Sequence, residues 1–305
     1  MKILITDSEG MLGTDLIKEL TKQKIEFLAI DAEEFDITKK ETNNSKAVDA
    51  TESKDSEAQK KNLSDASKEK PLNVPKKILD FKPSHIINCA EYTHVDKAEK
   101  EDKDLCKKIN VEGVENLVRL AKELKISLVQ ISSDQVFDGE NQSYDEDSKK
   151  HPINYYGYTK AKAEDIITGG MNYYYIIRTS WLVGKNGRNF VETMKKLMNE
   201  KEEIRVVNDQ CGNPTFTSDL SVAIVNILKQ PFGKYHLTNT GSVTRYGFAL
   251  KIKRLINSDC NVVACTKEDY PQAARRLRSG ILNNNKRDLL RSWKDALEEY
   301  LGVEE

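Results

Sequence analysis

The N-terminal stretch MKILITDSEGMLG, residues 1–13, decides how the fold is interpreted. Residues 2–6 form a short apolar run that predicts a strand, and residues 12–20 carry helical periodicity. Residues 26–30 are apolar again and are followed by Asp31. A strand, a glycine-containing turn, a helix and a second strand in this order predict a βαβ unit at the start of the chain.

Further apolar and amphipathic segments alternate along the first half of the chain. Strands are predicted at 85–89, 127–132 and 173–178, and helices at 74–81, 110–124 and 155–168. This spacing predicts right-handed crossovers between parallel strands. We therefore expect an α/β protein with a Rossmann-like, doubly wound parallel sheet.

After residue 178 the alternation loosens. Helices are predicted at 190–199, 218–228, 245–256 and 293–301, and short strands at 204–207 and 234–237. We expect residues 1–178 to form the Rossmann-like, dinucleotide-binding domain. Residues 179–305 should form mainly a smaller C-terminal α/β substrate-binding lobe, with some segments returning to the first domain.

An insertion at about 40–73 interrupts the first domain. Residues 40–70 hold seven Lys and seven acidic residues, no aromatic side chain, and only Ala, one Val and one Leu as apolar groups. Such a segment buries too little apolar surface to offset its ordering entropy. We expect it to be disordered or loosely helical, although a packed element is the alternative.

Composition excludes several classes of function. The 305 residues contain 48 Lys and Arg against 49 Asp and Glu, without a basic stripe, which makes nucleic acid a poor partner. No apolar run is long enough to span a membrane, and a strand begins directly without a signal-peptide pattern, so we expect a cytoplasmic protein. The five cysteines form no CxxC pair, and we predict no metal site.

The turn after the first strand has the spacing of a phosphate-binding loop. Gly10 and Gly13 would let backbone approach a pyrophosphate and let the helix pack closely on the strand. A plain strand-to-helix turn is the alternative. Asp7 stands where the first glycine of such a loop belongs, and both Asp7 and Glu9 bring carboxylates near the place of the phosphates.

A serine, a tyrosine and a lysine form the candidate catalytic set. Tyr156 and Lys160 are four residues apart on a predicted helix and so share one face, where the ammonium would lower the pKa of the phenol. Ser133 ends the preceding strand and could hydrogen-bond the same substrate oxygen. A coincidental YxxxK pattern is the alternative. Asn110 could support a proton relay or lie on the helix surface.

Residues 88–93, NCAEYT, end a predicted strand at the carboxyl edge of the sheet, where cofactors pass in such folds. We expect this stretch to line the nicotinamide ribose; an ordinary strand end is the alternative. After the second strand, Asp31 could contact the adenosine or cap the loop. The choice between NAD and NADP stays open.

These motifs together resemble the dTDP-4-dehydrorhamnose reductase family of the extended short-chain dehydrogenase/reductases. Residues 88–99, NCAEYTHVDKAE, are similar to the family block NxAAYTxVDxAE, and residues 132–139, SSDQVFDG, to STDYVFDG. Residues 156–160, YGYTK, are similar to YGxTK. The segments RTSW at 178–181, NF at 189–190 and DQCGNPT at 209–215 complete the series.

The resemblance implies reduction of a nucleotide-linked 4-keto-6-deoxy sugar at C4 with NADPH or NADH, giving dTDP-L-rhamnose for cell-surface polysaccharide biosynthesis. The partner would be the nucleotide-sugar substrate, and a homodimer is possible by the same resemblance. Ser133, Tyr156 and Lys160 would be catalytic. The implied cofactor-binding residues are Gly10, Met11, Leu12, Gly13, Asp31, Asp36, Ile37, Ala90, Glu91, Tyr92, Tyr156 and Lys160. The implied substrate-binding residues are Val136, Phe137, Trp181, Asn189 and Arg276.

Four positions depart from the family pattern. Asp7 replaces a glycine, Glu91 a small alanine, and Gln135 an aromatic residue, while the family's Arg-Pro is Arg276-Leu277. The changes at Asp7, Glu91 and Gln135 add charge or polarity around a ligand. A non-catalytic or weakly active relative that acts as a binding or regulatory subunit is therefore the alternative hypothesis.

Overall fold

The structure is a computed structural model that describes residues 1–39, 73–286 and 290–303. The expected insertion therefore lies outside the described residues, except for residue 73. Helices and strands are numbered in chain order. The helices are α1 (Met11–Lys22), α2 (Lys76–Phe81), α3 (Val95–Ala98), α4 (Lys103–Lys107), α5 (Val114–Leu124), α6 (Tyr155–Gly170), α7 (Phe190–Glu200), α8 (Thr217–Ile227), α9 (Arg245–Leu255) and α10 (Trp293–Leu301).

Several of the strands have only two or three residues. They are β1 (Lys2–Thr6), β2 (Glu26–Ile30), β3 (His85–Asn88), β4 (Ser127–Ser133), β5 (Tyr174–Thr179), β6 (Leu182–Val183), β7 (Glu203–Val207), β8 (Cys211–Gly212), β9 (Thr215–Phe216), β10 (Gly233–His236), β11 (Asn239–Thr240), β12 (Val243–Thr244), β13 (Asn261–Cys265), β14 (Ser279–Gly280) and β15 (Leu290–Ser292). A 3-10 turn, Asp134–Val136, directly follows β4.

The main sheet has six strands in the order β10-β5-β4-β3-β1-β2. Every neighbouring pair in it is parallel. The order reverses between β1 and β3, so helices connect to both faces, and the predicted doubly wound α/β fold is confirmed. The carboxyl ends of β1, β3 and β4 lie at one edge of this sheet, which is where ligands bind in such folds.

Apolar cores cover both faces of the sheet. On one face, α1 and α8 pack their buried leucines and isoleucines against β1, β3 and β5. On the other face, α2, α5 and α6 bury residues such as Leu117 and Ile167 against Ile86 and Ile176. The strands are apolar on both faces because both faces are covered. This rigid centre holds the strand ends in place.

The second half of the chain contributes to both parts of the molecule. Helices α7, α9 and α10 form a separate core with β7 and β13, which pair in parallel. Strand β10, by contrast, pairs with β5 at the edge of the main sheet. The division into residues 1–178 and 179–305 stays a prediction.

The predicted helix at 110–124 begins differently from the expectation. Residues Lys108–Gly113 form a π-helical turn that runs into α5. Asn110 lies in this turn and is 2% exposed, which excludes the helix-surface interpretation of its side chain. Among the described residues, no helix is long and apolar enough to cross a membrane.

Candidate active site

The three candidate catalytic residues meet at the carboxyl edge of the sheet. Ser133 is the last residue of β4, and Tyr156 lies in the first turn of α6 with Lys160 one turn later. Gly157 permits this approach, because a Cβ there would lie 2.0 Å from the backbone oxygen of Gln135. Asn154 caps α6 by accepting a hydrogen bond from the Gly157 N–H at 2.8 Å. The YG pair thus brings the helix N-terminus against the turn that follows Ser133.

Glu91 is the residue that contacts both Tyr156 and Lys160. The Tyr156 hydroxyl donates a hydrogen bond to Oε1 of Glu91. Lys160 Nζ lies 3.0 Å from the other carboxylate oxygen, Oε2, and donates to the Ile131 carbonyl at 2.7 Å. One carboxylate therefore bridges the phenol and the ammonium of the candidate catalytic set.

The pKa of Tyr156 is raised, whereas the sequence analysis expected Lys160 to lower it. Burial raises the pKa of the phenol well above its usual value, and the Glu91 carboxylate raises it further, by its charge and by the hydrogen bond that it accepts. The Ser133 side chain has the opposite, smaller effect. The expected lowering by Lys160 is not the controlling influence here, because Glu91 lies between the ammonium and the phenol.

Ser133 is held by its neighbour. Its hydroxyl donates to Oδ1 of Asp134 at 2.9 Å and accepts from the Gln135 N–H at 3.2 Å. Asp134 is 3% exposed, and burial raises the pKa of its carboxyl to about 6. Its other oxygen has no hydrogen-bond partner in the described structure. Asp134 and the Gln135 N–H thereby fix the Ser133 hydroxyl, which is close enough to Tyr156 to affect its pKa.

Asp7 occupies the phosphate loop in the way the sequence suggested. Its φ of 54° is in the left-handed region, which a glycine would adopt without strain. A Cβ on Gly10 would lie 2.2 Å from Oδ2 of Asp7, so this carboxylate stands directly over the glycine. Desolvation of the carboxyl group, with the charges of Asp31 and Glu91, raises the pKa of Asp7 to about 6.

Asp31 caps the same loop. Its carboxylate accepts from the Ser8 hydroxyl at 2.5 Å and from the Glu9 N–H at 3.2 Å. Of the two roles considered from the sequence, capping is therefore the one that the described contacts display. Two other residues of the expected cofactor set lie at the start of α1. The Leu12 side chain is buried in the core, and the Met11 side chain packs near Gly184.

A cleft of about 310 Å³ runs along the sheet edge beside this loop. It joins the end of β1 to the segments after β2 and β3. It contains four of the expected cofactor-binding residues and both acidic departures, Asp7 and Glu91. Its lining includes Thr6, Asp7, Asp36, Ile37, Thr38, Ala90, Glu91 and Lys108.

The segment after β3 is clamped by Asn110. The Asn110 side chain accepts from the Tyr92 N–H at 2.8 Å and donates to the Tyr92 carbonyl at 3.1 Å and to the Thr159 hydroxyl at 3.2 Å. Tyr92 in turn donates its own hydroxyl proton to Asp102 at 2.7 Å. Asn110 therefore fixes the backbone next to Glu91 and joins it to α6.

The opposite side of the site contains Trp181 and two arginines. Trp181 has a left-handed φ of 45°, and the guanidinium of Arg245 lies 3.6 Å from the centre of its ring. Arg276 donates to the Ala274 carbonyl and pairs with Asp96 at 2.5 Å. The sequence analysis did not identify Arg245, because it lies far from Trp181 in the chain and only the fold brings the two side chains together.

Three of the expected substrate-binding residues serve packing in this structure. Val136 and Phe137 are fully buried, and Phe137 stacks on Tyr144 with ring centroids 4.2 Å apart. Asn189 caps α7 through the Glu192 N–H at 3.0 Å and donates to the Gly184 carbonyl. These side chains take part in packing and helix capping in the described structure, and their assignment to the substrate site stays a prediction.

Similarity to known proteins agrees with this geometry. The model of the family described as RmlD substrate binding domain matches residues 1–304. The chain belongs to this family. The "Spore coat polysaccharide biosynthesis protein SpsK" of Bacillus subtilis is 32% identical, over 98% of this chain and 96% of its own length. The resemblance to the dTDP-4-dehydrorhamnose reductase family is confirmed.

Two solved structures are similar over nearly the whole chain. A dTDP-4-dehydrorhamnose reductase from Clostridium acetobutylicum has a TM-score of 0.84 at 35% identity, covering 99% of both chains. A dTDP-4-dehydrorhamnose reductase from Bacillus anthracis, in complex with NADP, has a TM-score of 0.83 at 35% identity, covering 98% of both.

Proposed function

We propose that this protein is an NAD(P)H-dependent dTDP-4-dehydrorhamnose reductase. It would reduce the C4 ketone of dTDP-4-dehydro-L-rhamnose to give dTDP-L-rhamnose, in cell-surface polysaccharide biosynthesis. The observation that carries the proposal is the meeting of Ser133, Tyr156 and Lys160 at the sheet edge, next to a glycine loop at a helix N-terminus. The names of the similar reductases supply the substrate.

The residues of the cofactor side fit a dinucleotide. The N-terminus of α1 directs free backbone N–H groups at the loop, which favours a pyrophosphate. A Cβ at Gly13 would lie 2.2 Å from the Asp7 carbonyl, so a glycine is required for the helix to pack this closely. The adjoining cleft extends past Ile37 to Ala90 and Glu91. When bound, NADPH or NADH supplies the hydride for C4.

The protein's own groups supply the proton and the orientation. Ser133, whose hydroxyl would turn from Asp134 to the substrate, donates a hydrogen bond to the ketone oxygen and holds it toward Tyr156. Tyr156 transfers its proton to that oxygen as the alkoxide forms. Lys160, which is 2% exposed, places a positive charge beside the resulting phenolate. The substrate-side candidates stay the five predicted ones: Val136, Phe137, Trp181, Asn189 and Arg276.

A single assay tests the proposed function. Purified protein incubated with dTDP-4-dehydro-L-rhamnose should oxidise NADPH or NADH, and Tyr156→Phe should lower kcat at least about a hundredfold through loss of the proton donor. Tyr158→Phe is the matched control, because Tyr158 lies on the same helix and is 51% exposed. Absence of turnover in the unmodified protein, with either cofactor, would refute the proposal.

The non-catalytic alternative depends on Asp7 and Glu91, and the family relationship does not favour it. The proposed homodimer and the cytoplasmic location stay predictions. Light scattering in solution would decide the first of these.

A further inference from the structure

The contact between Glu91 and Tyr156 is incompatible with proton transfer to a substrate. A phenol has one proton, and in this structure that proton is directed at the Glu91 carboxylate. The same carboxylate pairs with Lys160 at 3.0 Å. The Glu91 carboxylate therefore engages both the Tyr156 phenol and the Lys160 ammonium. For the reaction to proceed, that side chain must leave.

The surroundings of Glu91 allow its side chain to move while its backbone stays in place. Glu91 lies between β3 and α3, outside any helix or strand. The Tyr92 backbone beside it is clamped by Asn110 through two hydrogen bonds of 2.8 and 3.1 Å. Glu91 also lines the cleft of about 310 Å³, so a rotation about its side-chain bonds has space to occupy.

A dinucleotide is the ligand that would displace Glu91. Its ribose hydroxyls can take over the hydrogen bonds of Lys160, and its pyrophosphate repels the carboxylate. The groups that face Glu91 include Tyr156 and Lys160 from α6 and Asp7 from the phosphate loop. Cys106 from α4 also faces it, and Cys89 lies two residues earlier. Lys160 is the cation that pairs with the carboxylate, and Lys108 also lines the cleft.

We propose that Glu91 is an autoinhibitory residue, which engages the Tyr156 hydroxyl and the Lys160 ammonium until dinucleotide binding releases both. This proposal rests on the proposed function. No covalent step is involved: the phenol keeps its proton, exchanges one acceptor for another, and gives the proton to the substrate oxygen afterwards. Proton delivery thereby becomes conditional on occupancy of the cofactor cleft.

Two measurements on the full chain test this proposal. In titrations with NADPH and with NADH, Glu91→Ala should bind dinucleotide at least threefold more tightly than the unmodified protein. Glu202→Ala is the control for lost charge, because Glu202 is exposed between α7 and β7 and should leave the affinity unchanged. A change below threefold in Glu91→Ala, or weaker binding, overturns the proposal.

The second measurement follows ionisation of Tyr156 by ultraviolet absorbance, with Tyr156→Phe subtracted to isolate its signal. Glu91→Ala should move the ionisation of Tyr156 to lower pH, and Glu91→Gln should do so as well, because both remove the adjacent negative charge. If Tyr156 ionises at the same pH in both variants as in the unmodified protein, the contact between Glu91 and Tyr156 is refuted. If no form of the protein binds a dinucleotide, the proposed function fails instead, and this titration still decides the Glu91 contact.

Discussion

At the scale of single residues, two carboxylates distinguish this site. Asp7 stands over Gly10 in the phosphate loop, and Glu91 bridges Tyr156 and Lys160. The two carboxylates also act on each other, since Glu91 contributes to the raised pKa of Asp7. The three predicted catalytic residues lie together, while the cleft proposed for the cofactor carries additional negative charge.

Replacement of Asp7 by glycine should strengthen dinucleotide binding by about tenfold. A unit charge close to a phosphate repels it, and screening by the solvent at the mouth of the cleft limits the repulsion to roughly that order. The measurement is a titration of Asp7→Gly with NADPH. Glu9→Gln is the control, since Glu9 is an exposed carboxylate of the same loop. Equal gains in both variants would argue against a specific effect of Asp7.

Dinucleotide affinity should also depend on pH through Asp7. Its pKa is raised from 3.8 to about 6, so the carboxyl is neutral below that value and charged above it. The affinity should therefore rise as the pH falls through about 6. In Asp7→Gly this part of the dependence should disappear. If the affinity depends on pH in the same way in the unmodified protein and in Asp7→Gly, Asp7 is not the source of the pH dependence.

The sequence predicted the catalytic set but not its contacts. The spacing of Tyr156 and Lys160 and the position of Ser133 at a strand end are properties that a sequence displays. Glu91 is 65 residues from Tyr156 in the chain, and its partner depends on how the strand end and the helix meet. Only the departure from the family's alanine marked the position. The direction of the Tyr156 pKa shift could not be predicted without that contact.

At the scale of elements, a buried ion pair joins β5 to α6 below the site, and a hydrogen bond adds β4 to it. Arg178 on β5 donates to both oxygens of Glu164 on α6, at 2.9 and 2.7 Å. Ser132 on β4 donates to the same carboxylate at 2.6 Å. Both charged side chains are at most 1% exposed. This network fixes the strand that ends in Ser133 against the helix that carries Tyr156.

Removal of one member of this pair should destabilise the fold strongly. Arg178→Met leaves the Glu164 carboxylate buried without its main partner, at a cost of about 3–5 kcal/mol. Urea unfolding followed by circular dichroism measures this change. The double variant Arg178→Met with Glu164→Met should recover part of the loss. A single variant as stable as the unmodified protein would contradict the role given to this pair.

The sequence predicted the bounds of helices and strands where the hydrophobic periodicity was strong. It did not predict them where contacts with distant residues determine the backbone conformation. The predicted helix at 155–168 corresponds to α6, and the predicted strand at 127–132 to β4. The π-helical turn before α5 has no sequence signal, because it depends on how Asn110 binds the Tyr92 backbone. Two-residue strands such as β6 and β9 are too short to leave an alternating pattern.

At the scale of the whole molecule, the sheet depends on both halves of the chain. Strand β10 extends the sheet beyond β5, and α8 packs against α1. The apolar core on that face includes Leu220, Ile224, Val225, Tyr235 and Leu237, all from beyond residue 178. The sequence suggested that some late segments return to the first domain, but hydrophobic pattern alone did not identify which ones.

A fragment of residues 1–178 should therefore not fold on its own. Each fully buried apolar side chain contributes roughly 1.5–3 kcal/mol, and the loss of several equals the total stability of an ordinary domain. Circular dichroism and thermal melting of the purified fragment test this expectation. A cooperative melt similar to that of the full chain would show that the first half is self-sufficient.

Transfer of a labelled hydride tests the central claim most directly. The full protein is incubated with dTDP-4-dehydro-L-rhamnose and NADPH that carries deuterium at the hydride position of the nicotinamide, and the sugar nucleotide is analysed by mass spectrometry and NMR. The account predicts one deuterium at C4 of the product with the unmodified protein and almost none with Tyr156→Phe. An unlabelled sugar nucleotide from a protein that binds NADPH would contradict it.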